Sequence, residues 1–313
     1  MVRALTRQTT RYSDAMARWL AVWVVLASWG FAEVPQLTRA QAVDILFLAE
    51  TPPVGCDSGT SREQISCLIA ARYVKDAAAS KVAVSLYEKT GTVMGQLAEQ
   101  DFDGGYRGKL HLVPRLGMGS NRKHLEFAAN ALLDFEWFFT SLGGTPNYRW
   151  QALDFRFFES VKRRTPSAFA EDWAVAYNVA GSLFGTEAGV RATLFHEVFH
   201  LNDQEHRNWS ERALGAIFDS IVAKCGVKTA CLEPYVADSI KVIGGTYYAF
   251  QPGNGVGEYG ADLARRYYNE HRAFLKKERF GKAFKCGPPE NAKAWKLMAD
   301  EFFGGVDLIP ACK

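Results

Sequence analysis

The sequence predicts an α+β domain, rich in helix and carrying one small mixed sheet. Three observations lead there. Residues 61–90 are Ala-rich with apolar residues at helical spacing. Residues 148–158 (YRWQALDFRFF) and 172–181 (DWAVAYNVAG) alternate apolar and polar positions and are enriched in aromatic and β-branched residues, the composition of strands. After Gly185 the helical spacing returns and persists to the end of the chain, so the sheet is supplied by the middle.

In chain order, 61–90 divides into two helices. The stretch GYRGKLHLVPRLGMG holds a short strand around Leu110 to Val113, bounded by Gly and Pro. Residues 121–142 read as a helix with Ser120 or Asn121 as cap and Gly143-Gly144 as stop. Residues 209–224 carry apolar side chains at helical spacing, the pattern of a core helix. No internal repeat or low-complexity linker divides residues 33–313. They read as one domain with an N-terminal helical part (33–147), a central part (148–270) and a C-terminal helical tail (271–313).

Of 313 residues, 48% are apolar and 23% charged, which excludes a disordered or fibrous chain. Residues 19–32 form an apolar run of 14 behind Arg18, too short for a comfortable membrane span of about 20. It fits the core of a signal peptide ending at Ala32, with Met16 as an alternative start, so residues 1–32 are expected to direct export. Removing four of the 37 basic residues and one of the 34 acidic ones with that leader leaves 33 of each sign. A neutral mature chain argues against a general grip on nucleic acid. A secreted or periplasmic protein without a stable membrane anchor is the expectation. The six cysteines suit that compartment. They fall into three sequence-local pairs, Cys56 with Cys67, Cys225 with Cys231 and Cys286 with Cys312, although six cysteines allow 15 connectivities.

The chemistry is concentrated in VRATLFHEVFHLNDQEH, residues 190–206, which holds half of the six histidines. His196, Glu197 and His200 spell HExxH. On a helix, positions i and i+4 share a face, so two imidazoles can converge on one zinc ion. Glu197 is then placed as general base, taking a proton from a zinc-activated water and returning it to a leaving amine. The neighbours Leu194, Phe195, Val198, Phe199 and Leu201 are apolar, so burying these polar groups requires compensation by a metal and hydrogen bonds.

Catalytic zinc usually takes three protein ligands. One candidate for the third is Glu258 in GNGVGEYGADLARRYYNEH, with Asp262 one helical turn later placed to accept a hydrogen bond from a ligand imidazole. HEVFH followed 58 residues later by EYGAD resembles the gluzincin metallopeptidases, HExxH then ExxxD. In wording and gap it is nearer to the CAAX-prenyl-protease/HtpX-like branch than to thermolysin. The resemblance spans roughly residues 172–270. It implies a zincin-like metallopeptidase domain with one Zn2+ per chain held by His196, His200 and Glu258. It also implies Glu197 as general base, Asp262 behind a ligand imidazole, and a peptide or protein substrate. AYNVAGSLF (176–184) also resembles the Asn-containing edge strand of that branch, which takes substrate by β-augmentation. No role for Asn178 is drawn from it. The transmembrane helices of the integral-membrane members are missing, so a membrane or prenylated substrate is not implied.

The other candidate is His206, since HEVFHLNDQEH has metzincin spacing. A continuous helix would turn His206 about 80° away from His196, so this reading needs the chain to bend after His200. A non-catalytic zinc protein of the same fold is a third reading, with His206 as a closing ligand. The group that stabilises negative charge in the transition state could be Tyr267, Tyr268, His271 or Arg265. The basic segment 261–285 reads as a solvated face, or else as a rim for acidic groups of substrate.

Overall fold

The computed structural model describes residues 36–103 and 108–312. The proposed leader, residues 1–32, lies outside them. The first helices begin as local chemistry dictates. α1 (Arg39–Phe47) and α2 (Ser61–Arg72) each open with a capping box, Thr38 with Gln41 and Thr60 with Glu63. Asp76 caps α3 (Ala77–Thr90), which ends at Gly91 in the left-handed conformation. α4 (Arg122–Leu142) follows Asn121, whose side chain makes no capping bond, and stops at Gly143.

The sheet is built around β4 (Asp154–Ser160). One edge of β4 carries β6 (Ala174–Asn178) in parallel, and antiparallel β5 (Ala168–Glu171) follows as the outermost strand. The other edge is shared. β1 (Val93–Gln96) runs parallel to its first half, and β3 (Lys109–Pro114) pairs antiparallel with its last residues. β2 (Gln100–Asp103) completes the order, antiparallel to β3. Serving two partners along one edge, β4 organises a curled, mixed sheet.

The stretch 33–147, expected as a helical part, therefore supplies three of the strands. Of 148–158, only the portion from Asp154 onward is strand. β6 lies inside the sheet, so the edge strand is β5 and not the segment around Asn178. Asn178 is fully buried, donating to Pro166 O and accepting from Ala180 N at 3.0 Å each, which fixes a turn.

Side chains alternate across a strand, and the two faces of the sheet differ. Phe155, Phe157, Val175 and Tyr177 join the main core with the helices. Leu110, Leu112, Phe158 and Ala176 form a small separate cluster on the other face. β1 packs so closely on α1 that a Cβ at Gly95 would stand 2.0 Å from the Ile45 carbonyl oxygen. Beneath the main face lie α4, α5 (Glu187–Glu205) and α8 (Val256–Leu275), with β5 running beside α5. α6 (Trp209–Cys225), the short α7 (Thr229–Leu232) and α9 (Pro289–Phe302) surround them. Bonds Cys56–Cys67, Cys225–Cys231 and Cys286–Cys312 join the three local pairs, with Cα separations of 5.3 to 5.5 Å. Among the described residues, no helix is long and apolar enough to cross a membrane.

Candidate metal centre

α5 shows almost no amphipathic pattern, because it is buried on several sides. Thr186 caps its start, accepting from Gly189 N at 3.1 Å, and the helix continues without a break through Glu205. His196 and His200 therefore stand one turn apart on one face, as the spacing requires. α8 crosses that face. Its approach depends on Gly260, where a Cβ would meet Phe199 and Ser210 side-chain atoms at 3.1 Å. This contact brings Glu258 and Asp262 onto the two histidines.

The result is a tight polar group. His196 Nε2 lies 3.1 Å from His200 Nε2 and 2.9 Å from Glu258 Oε2, while His200 Nε2 lies 3.6 Å from the same oxygen. Three donors on a tetrahedral sphere of about 2.0–2.1 Å radius would be about 3.3 Å apart, and the observed separations straddle that value. Imidazole and carboxylate are the donor types zinc takes. His196 Nδ1 is 3.2 Å from Asp262 Oδ1. If Nδ1 donates its proton there, the neutral ring turns the Nε2 lone pair toward the Glu258 carboxylate. Two acceptors then face each other, which is unfavourable unless a cation or a proton stands between them. The residues fit a divalent metal.

Without one, proton chemistry carries the strain. Burial opposes charge on His196, but Asp262 and Glu258 override it and raise its pKa to about 10. Burial would raise Glu258 as well, yet the two imidazoles hold it far below the ordinary carboxylate range. Burial raises the Asp262 pKa, with His196 opposing. Behind Asp262 lies a further layer: Arg265, only 7% exposed, pairs with Asp238 and lies 3.5 Å from Asp262 Oδ1.

Glu197 is buried beside the group, and its pKa is raised by burial against the lowering pull of His196 and His200. Its carboxylate makes no hydrogen bond among the described residues. The His200 and Glu258 side chains keep 22% and 24% of their surface, so the group is open on one side. The structure thus brings His196, His200, Glu258, Asp262 and Glu197 together.

It does not bring His206. Because α5 runs on without bending, His206 sits at its C-terminal cap, 2.7 Å from Glu301 of α9 and against the Phe302 ring. Asp203, where a bend would be needed, is helical and buried, accepting from the Ser210 backbone N–H and hydroxyl. Other residues singled out in the sequence are engaged elsewhere. The Tyr267 hydroxyl donates to Val306 O and that of Tyr268 to Asp134. His271 Nδ1 meets Tyr267 O at 2.9 Å and its Nε2 accepts from Leu308 N. Much of the basic segment is paired: Arg266 with Glu270, Arg272 and Lys276 with Asp134, Lys285 with Asp307.

Two contributors had no sequence signal. Tyr248, in a 3-10 turn between α7 and α8, places its hydroxyl 3.4 Å from Glu258 Oε1. Asp238 reaches Arg265 from the same irregular stretch. Neither belongs to a periodic element, so only the folded path of residues 233–255 puts them here. Comparison with protein-family models, with curated proteins and with solved structures returned no match. The geometry therefore stands as the functional evidence.

Proposed function

We propose that this chain is an exported zinc-dependent metallopeptidase of gluzincin type, built on a zincin-like domain, with His196, His200 and Glu258 as ligands. One observation carries the reading: three donor atoms of the right chemistry lie within 4.8 Å of one another, on two helices, with a buried carboxylate at Glu197 beside them. A bound zinc supplies Lewis acidity, polarising the scissile carbonyl and making a water molecule more acidic.

The chain's own residues do the rest. Asp262 fixes the His196 ring through Nδ1 and Arg265 backs Asp262, so that Nε2 faces the ligand position. Glu197 removes a proton from the attacking water as the new C–O bond forms, and returns it to the amine nitrogen as the C–N bond breaks. Its raised pKa suits that exchange, because a base closer to neutrality accepts and releases a proton more evenly. β5, outermost in the sheet and beside α5, offers an edge along which an extended substrate segment can lie. The three disulfides agree with an oxidising destination.

The test is cleavage of a peptide library by the zinc-loaded mature chain, with Glu197→Gln alongside. The reading expects peptide-bond cleavage by the wild type. It also expects the variant to keep its zinc and lose about 10²–10⁴-fold in rate. A zinc-loaded wild type that cleaves nothing would make this a non-catalytic zinc protein.

A further inference from the structure

A cavity of about 510 Å³ opens between α8, the residues leading into α9 and the stretch 233–239. A second, of about 310 Å³, adjoins it, the two sharing Ala237, Asp238 and Arg266. Both fall in the range of small-molecule sites, about 300–1,000 Å³. None of His196, Glu197, His200, Glu258 and Asp262 lines either one, so this is not the metal centre. We infer that the joined cavity binds a zwitterion with an apolar side chain, the chemistry of a free amino acid or a short peptide. Its ammonium is taken by Glu270 and Asn291, and its carboxylate by Arg266 and Lys282.

The acceptors come first. Glu270 is 3% and Asn291 1% exposed, yet Glu270 Oε2 and Asn291 Oδ1 have no hydrogen-bond partner among the described residues. A buried acceptor left unpaired is costly, and a ligand N–H removes that cost. The two side chains flank one residue. The Phe284 N–H donates to Glu270 Oε1 at 3.0 Å, and the Phe284 carbonyl accepts from Asn291 Nδ2 at 3.2 Å. Arg266 is held in place, donating from Nε to Glu270 Oε1 and from Nη2 to Lys282 O, while no bond among the described residues engages its Nη1. A guanidinium fixed in this way is suited to a carboxylate. The Lys282 side chain is exposed and makes no ion pair among the described residues. Asp238 is already paired with Arg265, which leaves Glu233 and Glu270 against Arg266 and Lys282. With two charges of each sign, a bare cation or a bare anion meets repulsion as well as attraction, whereas a ligand carrying both charges can match both. Val236, Ala237, Phe284 and Pro288 supply an apolar wall for its side chain.

The experiment is titration calorimetry of the zinc-loaded mature protein with L-leucine and with leucyl-leucine. Leucinamide, which lacks the carboxylate, and N-acetyl-leucine, which lacks the ammonium, run alongside. One saturable site is expected for leucine, the dipeptide or both, and the comparison tells which source the cavity takes. Each blocked derivative is expected to bind about 10–100-fold more weakly, the loss of charge-assisted hydrogen bonds at one end. Lys282→Ala, a change at the surface, should cut the preference for the zwitterion over leucinamide about tenfold. Glu270→Gln should do the same to the preference over N-acetyl-leucine; should that buried variant fail to fold, Lys282→Ala still decides. Amino acids also chelate zinc, so Glu258→Ala is included, and binding should survive in it. Failure of both leucine and the dipeptide to bind overturns the inference, as does equal binding of the blocked derivatives. Binding that is lost in Glu258→Ala and untouched by Lys282→Ala would place the ligand on the metal centre and overturn it too.

Discussion

Two faces of α5 pack against the same partner, α8, and do opposite work. On one, Phe195 stacks on Tyr268 with ring centres 4.3 Å apart and meets Phe135 edge-on at 5.1 Å. Tyr148 and Phe139 extend this aromatic layer toward Phe303. On the other, His196 and His200 meet Glu258 and Asp262. The first face gains from removing apolar surface from water. The second removes charge from water and must be compensated. Adjacent residues, Phe195 and His196, thus belong to different economies. The aromatic face holds the two helices in place, and the polar face depends on that placement for its geometry.

Removing the aromatic anchor should have the largest effect on stability. Phe195→Ala is expected to cost about 3–5 kcal/mol in denaturant unfolding, while the molecules that remain folded keep their zinc ratio. Loss of zinc at unchanged stability would erase the distinction between the faces. Asp262→Asn should act on the metal as well, weakening zinc affinity by about 10–100-fold, read by chelator competition. Unchanged affinity would mean that Asp262 does not orient His196.

A smaller effect concerns pH. Asp134 on α4 is opposed by burial, but hydrogen bonds from Arg272, Tyr268 and Lys276 outweigh this and hold it at about 2. Its folded pKa lies below the unfolded value of about 3.9. Its contribution is therefore present above that pH and is lost as pH falls from about 4 toward 2. Asp134→Asn should flatten that part of the acid-unfolding curve; an unchanged curve would show that the link between α4 and α8 carries no weight there. His206→Ala should matter least, within about 1 kcal/mol for a partly exposed pair, with zinc retained. Zinc loss in that variant would return His206 to the site.

The sequence makes the site more legible than the fold around it. HExxH and ExxxD are short-range patterns whose meaning needs only helical geometry, and α5 and α8 supply it. α2, α3 and α4 are legible for the same reason, through apolar spacing, and α4 also through its Gly143-Gly144 stop. β1 and β2 are not, since VMGQ and QDFD are four residues each, too short for alternation to register. Nor is the shared edge of β4, which depends on pairing across distant segments. Tyr248 and Asp238 lie in an irregular stretch where no period constrains the chain, and their reach to Glu258 and Arg265 emerges only from tertiary packing.

The most direct measurement is zinc per chain in the purified mature protein, by elemental analysis, beside Glu258→Ala and His206→Ala. The account predicts about one zinc in the wild type, the same in His206→Ala and close to none in Glu258→Ala. A wild type that takes up no zinc under any loading condition, or a Glu258→Ala variant that keeps it, would contradict the metal centre on which the peptidase reading depends.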